Sequence, residues 1–187
     1  MKVSAAIALI ICLFTIRSHN ALADGQRLDA SVNLTAIGGG STLAGDGYGL
    51  QKGAGPGLGL GVAWTWLGQR FDRSVGLRYD TIASEPQSHY ITVPLALQLK
   101  LANIRIGTAT GLAAGFFTQG GLQSHLGGFG EMLVGYHHTL APPRSLDIAL
   151  GVNLALMQHV GDGGGYLKNS TLGMGSIFVR FTFGAER

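Results

Sequence analysis

Five of the six histidines in this 187-residue chain, His89, His125, His137, His138 and His159, lie beyond residue 88. Imidazole can bind a metal or act as a general base, so their spacing decides which chemistry is open to the chain. His137 and His138 are adjacent and on a strand point to opposite faces, so they do not share one metal. A hairpin register that pairs His138 with Leu146 puts His125 opposite His159, at the rim with the longer loops. Such a pair could take Zn or Cu, with Asp162 assisting. Two histidines make a thin ligand set, and both are expected to be simple rim residues. A lipid deacylase needs a Ser nucleophile, a His base and an acid to orient it. A His-x-Ser pair on a strand would place the first two on one face, but beyond residue 23 the chain offers only Ser88-His89 and Ser124-His125, whose members face apart. Gly38-Gly39-Gly40, Gly53–Gly61 and Gly161–Gly165 lack the Gly-Lys-Ser/Thr of a phosphate loop, and no helical pattern follows them. No catalytic residue, cofactor or metal is therefore expected.

The N-terminus reads as an address. Lys2 is followed by an apolar run from Ala5 to Ile16 and by Ala21-Leu22-Ala23, a small-x-small cleavage pattern before Asp24. This is the layout of a secretory signal peptide, and the run is too short to span a bilayer as a helix. The expected division is a signal peptide over 1–23 and one β-barrel domain over 24–187. The leader takes with it the single Cys, Cys12, so no disulfide or thiol chemistry is expected in the exported protein. It also takes Lys2 and Arg17, and the formal net charge of +3 falls to +1. Nothing in that balance suggests nucleic-acid binding.

The elements that must position these residues are strands. The chain holds 31 Gly, only 12% charged residues and 46% hydrophobic ones, with a mean hydropathy of +0.28. Collagen, disordered and helix-rich soluble folds are disfavoured by these values. Alternation with period two recurs: Leu146, Ile148, Leu150, Val152, Leu154 and Leu156 against Asp147, Ala149, Gly151, Asn153 and Ala155. Eight strands are predicted, at 28–40, 57–67, 74–82, 89–101, 104–117, 127–138, 145–158 and 171–183. Short turns alternate with longer loops, as in an outer-membrane barrel. The bulky face is Leu, Ile, Val and Trp, and the other is Gly, Ala, Ser and Thr. A narrow eight-stranded barrel has room inside only for the small face, so the greasy face is assigned to lipid. Trp64, Trp66, Tyr79, Tyr136, Phe181 and Phe183 fall near strand ends on that face, as interfacial girdles do. The fold expected is an all-β, eight-stranded antiparallel up-and-down transmembrane β-barrel.

Residues His89–Gly115, with Tyr90-Ile91-Thr92-Val93-Pro94-Leu95 followed by a short turn and a Gly-rich strand, resemble the core of the outer-membrane β-barrel family that includes PorT-like proteins. The resemblance implies a possible link to secretion. The chain departs from the usual barrel ending, because Phe181-Thr182-Phe183 is followed by Gly184-Ala185-Glu186-Arg187 and not by a terminal aromatic.

Strand parity turns eight charges inward: Asp29, Arg78, Asp80, Lys100, Arg105, Glu131, Asp147 and Arg180. Four against four in a narrow lumen implies a salt-bridge network and a plugged interior. Pro94 lacks the N–H that pairing needs, so a bulge or local irregularity is expected there. The function expected is that of a small, closed, monomeric barrel in the outer membrane of a Gram-negative bacterium, with a structural, adhesive or secretion-accessory role. Its partners would be outer-membrane lipid, lipopolysaccharide and the barrel-insertion machinery. Loops 41–56, 118–126 and 161–170 would form the contact surface. The alternatives are a lipid A-modifying enzyme and a narrow channel.

Overall fold

The computed structural model describes residues 25–43, 49–83, 87–117, 123–140, 144–160 and 171–185. The leader and its cleavage site, Asp162 and the rest of loop 161–170 lie outside the described residues. Eight strands follow one another: β1 (Gln26–Leu43), β2 (Gly49–Trp66), β3 (Phe71–Ile82), β4 (Ser88–Leu101), β5 (Ile104–Phe117), β6 (Gln123–Thr139), β7 (Arg144–His159) and β8 (Thr171–Ala185). Each pairs antiparallel with its neighbour, and β1 pairs with β8 to close the barrel. No helix among the described residues is long and apolar enough to cross a membrane.

All eight predicted strands are present, and most boundaries hold within a few residues. The exception is the start of β2. The segment 41–56 is not the long loop expected: β1 runs to Leu43 and β2 begins at Gly49, with Gly40 to Leu43 paired against Lys52 to Gly49. Glycine carries no side chain to display a period, so this stretch shows no alternation, and pairing of the start of β2 with β1, itself paired with β8, decides its conformation.

The side chains split as their volumes require. Outward-facing Leu95, Leu112, Met132, Val134, Leu150 and Leu154 are each more than half exposed. Trp66, Tyr79 and Tyr136 stand on the same outer face. On the outer face of β4, Ile91 to Leu101 is an unbroken aliphatic row. Ten steps of about 3.3 Å, inclined at about 40°, rise about 25 Å, the height of a lipid-facing band. Among the described side chains, the charged ones of the outer face, Arg73 and Arg144, lie at the short-turn end. A continuous apolar exterior of this size on a closed barrel is a membrane surface.

Two local departures interrupt the ladder. In β1 the register shifts between Thr35 and Ile37 against β8, and around Gly38 against β2. Ala36 and Ile37 therefore both face out, and Gly38 returns to the lumen. This is a β-bulge. At Pro94 no bulge forms. The β4–β5 register runs through Pro94↔Gly111 without a shift, and the irregularity is a gap in β3–β4 pairing between Val75↔Leu95 and Arg78↔Thr92. The missing N–H removes bonds on one side of β4 and leaves its register intact.

Candidate functional site

The lumen is layered. At mid-height the Glu131 carboxylate, from β6, is almost fully buried. It accepts hydrogen bonds from Arg78 Nη1 of β3 at 2.5 Å and, as a fork, from Arg180 Nη1 and Nη2 of β8 at 2.7 and 2.8 Å. Arg180 Nε donates to Asn33 Oδ1 of β1 at 2.7 Å, and Asn33 Nδ2 donates to Asp80 Oδ1 at 3.1 Å. Arg78 Nε donates to Asp80 Oδ2 at 2.7 Å and completes a ring of five side chains. Planar guanidinium groups suit this role, because a fork of N–H donors matches a carboxylate edge to edge. The Phe129 ring faces the Arg78 guanidinium and the Phe178 ring that of Arg180, with 5.6 and 4.8 Å to the ring centroids. Gly59 of β2 leaves the space the ring needs, since a Cβ there would collide with the Asp80 carboxylate.

Below the ring, towards the short turns, the lumen stays polar. Arg27 Nε meets Asp29 Oδ1 at 2.6 Å, and Thr65 donates to Asp29 Oδ2 at 2.6 Å. Asp147 lies 3.8 Å from Arg27 Nη2 and 2.5 Å from His137 Nδ1. Lys100 Nζ pairs with Asp72 at 2.9 Å and also reaches the Gly68 carbonyl, while the Gly68 N–H donates to Asp72, so the pair clips the β2–β3 turn. Arg105 donates to the Ala102 carbonyl at 2.6 Å and to that of Ile104 at 3.2 Å. Above the ring the lumen turns apolar: Ile82, Tyr90, Ala113, Phe129, Met157, Leu172 and Met174 pack together, and the Tyr90 hydroxyl touches the Met174 sulfur.

All eight charges assigned to the lumen are there. Arg27 and Asp72 join them, making five basic and five acidic groups among the described residues. Both sit just outside the predicted strand limits, which is why parity was not extended to them. The pairing is less uniform than four against four suggests, because Arg105 is held by backbone carbonyls. Asn33, which links β1 into the ring, carries the parity of Asp29 and was legible as a lumen residue, although its partners were not.

Two cavities flank the ring. The upper one, of about 30 Å³, is lined by Asn33, Arg78, Asp80, Tyr90 and Phe178, among others. The lower one, of about 110 Å³, reaches Arg27, Asp29, Asp147 and the underside of Arg78, Glu131 and Arg180. A water needs roughly 10–15 Å³ by this measure, so the upper space suits one or two and the lower several. The Arg78–Glu131–Arg180 bridge is a septum between them.

The histidines fall as their parity requires. His137 faces in to Asp147 and His138 is exposed. His89 faces out and its Nδ1 lies 2.7 Å from the Tyr79 hydroxyl. Ser88 and His125 are buried, while their chain neighbours His89 and Ser124 lie on the other face, so neither Ser-His pair forms a unit. His125 and His159 are registered opposite one another, as the hairpin predicts, with ring centroids 5.3 Å apart. His125 is not a solvated rim residue, being 1% exposed, while His159, on the same face, is partly exposed at the end of β7. No group of three or more His, Cys, Asp or Glu that could hold a metal occurs among the described residues.

No protein-family model matches the sequence, and none of the curated proteins does. Solved structures do match. Neisserial surface protein A (NspA) aligns at 15% identity over 86% of this chain and 98% of that one, with a TM-score of 0.51. The outer membrane protein OprG of Pseudomonas aeruginosa aligns at 11% identity over 88% and 97%, with a TM-score of 0.47. Ail, the attachment invasion locus protein of Yersinia pestis, aligns at 9% identity over 86% and 99%, with a TM-score of 0.41. At such identities the likeness is one of fold. A closed ring of eight antiparallel strands, a lipid-sized apolar exterior and a packed polar lumen give this chain the fold of the small eight-stranded outer-membrane β-barrels.

Proposed function

We propose that the protein is a closed, exported barrel of a Gram-negative outer membrane that works through its loop end, as a structural, adhesive or secretion-accessory component. The observation that carries this reading is the septum. Arg78, Glu131 and Arg180 bridge the lumen from three strands, and Asn33 ties them to a fourth. A barrel committed to passage of solutes would not fill the middle of its lumen with paired side chains. The lipid-facing strands leave the loops between β1 and β2, β5 and β6, and β7 and β8 as the surface free to meet a partner. Lipopolysaccharide, outer-membrane lipid and the insertion machinery are the partners this placement implies, and the barrel acts as a monomer.

Planar-bilayer recording tests the reading. The purified barrel should show no stable conductance, and steady single-channel steps would replace the closed barrel with a narrow channel. Mass spectrometry of lipid A from cells with and without the gene tests the enzymatic alternative. An unchanged spectrum is expected, because Ser88 and His125 are sealed in the lumen away from lipid.

A further inference from the structure

We propose that the loop end of the lumen holds a soft metal site, formed by the cross-strand pair His125 and His159 with the thioether of Met157, and that it takes copper(I). Four observations converge on it. The β6–β7 register sets the two imidazoles directly opposite, both on the lumen face. Their centroids are 5.3 Å apart with the planes at 70°. With metal–nitrogen bonds of about 2.0–2.1 Å and ring centres about 1.2 Å behind the nitrogens, two imidazoles at a tetrahedral angle have centroids about 5 Å apart. The pair is thus already at chelating separation.

The second observation is His159 itself. Both of its ring nitrogens are buried, and neither has a hydrogen-bond partner among the described residues. A neutral imidazole carries one donor and one acceptor, and leaving both idle under cover is uncommon in a native fold unless something occupies them. Third, Met157 is two residues before His159 on the same face and is 1% exposed. Its sulfur lies 3.3 Å from the point where a Cβ would stand on Gly115, and Gly115 is registered beside His125. The absence of a side chain at Gly115, the ladder partner of His125, makes the space into which the thioether folds.

The fourth observation is the chemistry of the surroundings. The charged ring and the carboxylates lie further down the lumen, and this end is lined by Tyr90, Leu172 and Met174. Hard cations such as Mg²⁺ and Ca²⁺ want several carboxylate oxygens, and the described residues place none beside the pair. Imidazole with thioether selects copper, and a low-dielectric pocket with no carboxylate among the described residues favours the singly charged ion over the doubly charged one. The site is independent of whether the lumen conducts.

The test is a titration of the full barrel, in detergent micelles, with copper(I) against a chromogenic copper(I) chelator. One equivalent should bind, and X-ray absorption should show two nitrogen neighbours at about 2.0 Å and one sulfur at about 2.3 Å. His159→Ala and His125→Asn should each weaken binding by more than about tenfold. Met157→Leu should weaken copper(I) and remove the sulfur signal while changing zinc binding little. His89→Ala with His138→Ala, on the outer face, should leave binding unchanged. Heat-modifiable gel migration reports whether each variant is folded, and His159→Gln, nearer in volume, stands in if His159→Ala is not. Stoichiometric binding that survives loss of His159, a spectrum without sulfur, or no binding to the folded wild-type barrel would each overturn the proposal.

Discussion

Replacing Glu131 by Gln isolates what the septum contributes. The carboxylate is the shared acceptor for two arginines and takes three hydrogen bonds of 2.5–2.8 Å. After the change Arg78 keeps Asp80, but Arg180 keeps only uncharged neighbours, Asn33 and the Phe178 ring. One buried cation is then left without a counter-charge in a lumen walled by lipid-facing strands. Breaking a buried pair on one side costs about 3–5 kcal/mol, and the Gln oxygen, which can still accept from one guanidinium, puts the expected loss near about 3 kcal/mol. The penalty comes from the stranded charge, so removing that charge should recover much of it. Glu131→Gln combined with Arg180→Met leaves the Arg78–Asp80 pair intact and should be more stable than Glu131→Gln alone. Reversible urea unfolding in lipid vesicles can be followed by fluorescence, because Trp64 and Trp66 lie on the outer face and report loss of the lipid environment. A single-variant loss below about 1 kcal/mol, or a double variant no better than the single one, would refute the view that these charges are held as a mutually dependent set.

Further expectations follow from individual positions. Gly59→Val must displace the Asp80 carboxylate from the ring and should cost about 1–3 kcal/mol in the same unfolding assay. Val152→Arg, at the middle of the outer face of β7, should cost about 2–4 kcal/mol, whereas Leu146→Arg near the short-turn rim should cost about 0–1 kcal/mol. Ala102 sits at a φ of 52° in the two-residue turn between β4 and β5, so Ala102→Gly should raise stability by about 1 kcal/mol. Intact-mass measurement of protein from an outer-membrane fraction should give a chain beginning at Asp24, and an uncleaved chain would contradict the export reading.

The architecture was readable where side chains differ in volume. On β7, Leu146 to Leu156 against Asp147 to Ala155 fixes both the strand and the face, and eight such stretches leave little choice of fold. The bulge at Ala36–Ile37 was hidden because both residues are apolar, so the change of parity leaves no trace in the pattern. The start of β2 was hidden for the opposite reason: Gly53 to Gly57 show no pattern, and the neighbours supply the pairing. Parity placed Glu131, Arg78, Asp80 and Arg180 in the lumen but did not join them. Which inward residues meet depends on the stagger of the strands around the barrel, a property of all eight registers together. The His125–His159 pairing was within reach because one hairpin register sets it. The burial of His125 was not, since it depends on how the strands around the barrel close over it.

The septum draws on β1, β3, β6 and β8, and two of these are the first and last strands of the chain. Asn33 meets Arg180 only across the seam where the sheet joins itself. In a growing sheet that has not yet joined, Arg180 has no Asn33 to bind and the ring stays open. The network therefore acts as a clasp that engages last, rewarding the fully circular form over every partly zipped one. It also gives the seam between the chain's two ends a side-chain bond beyond the backbone ladder shared by every other strand pair.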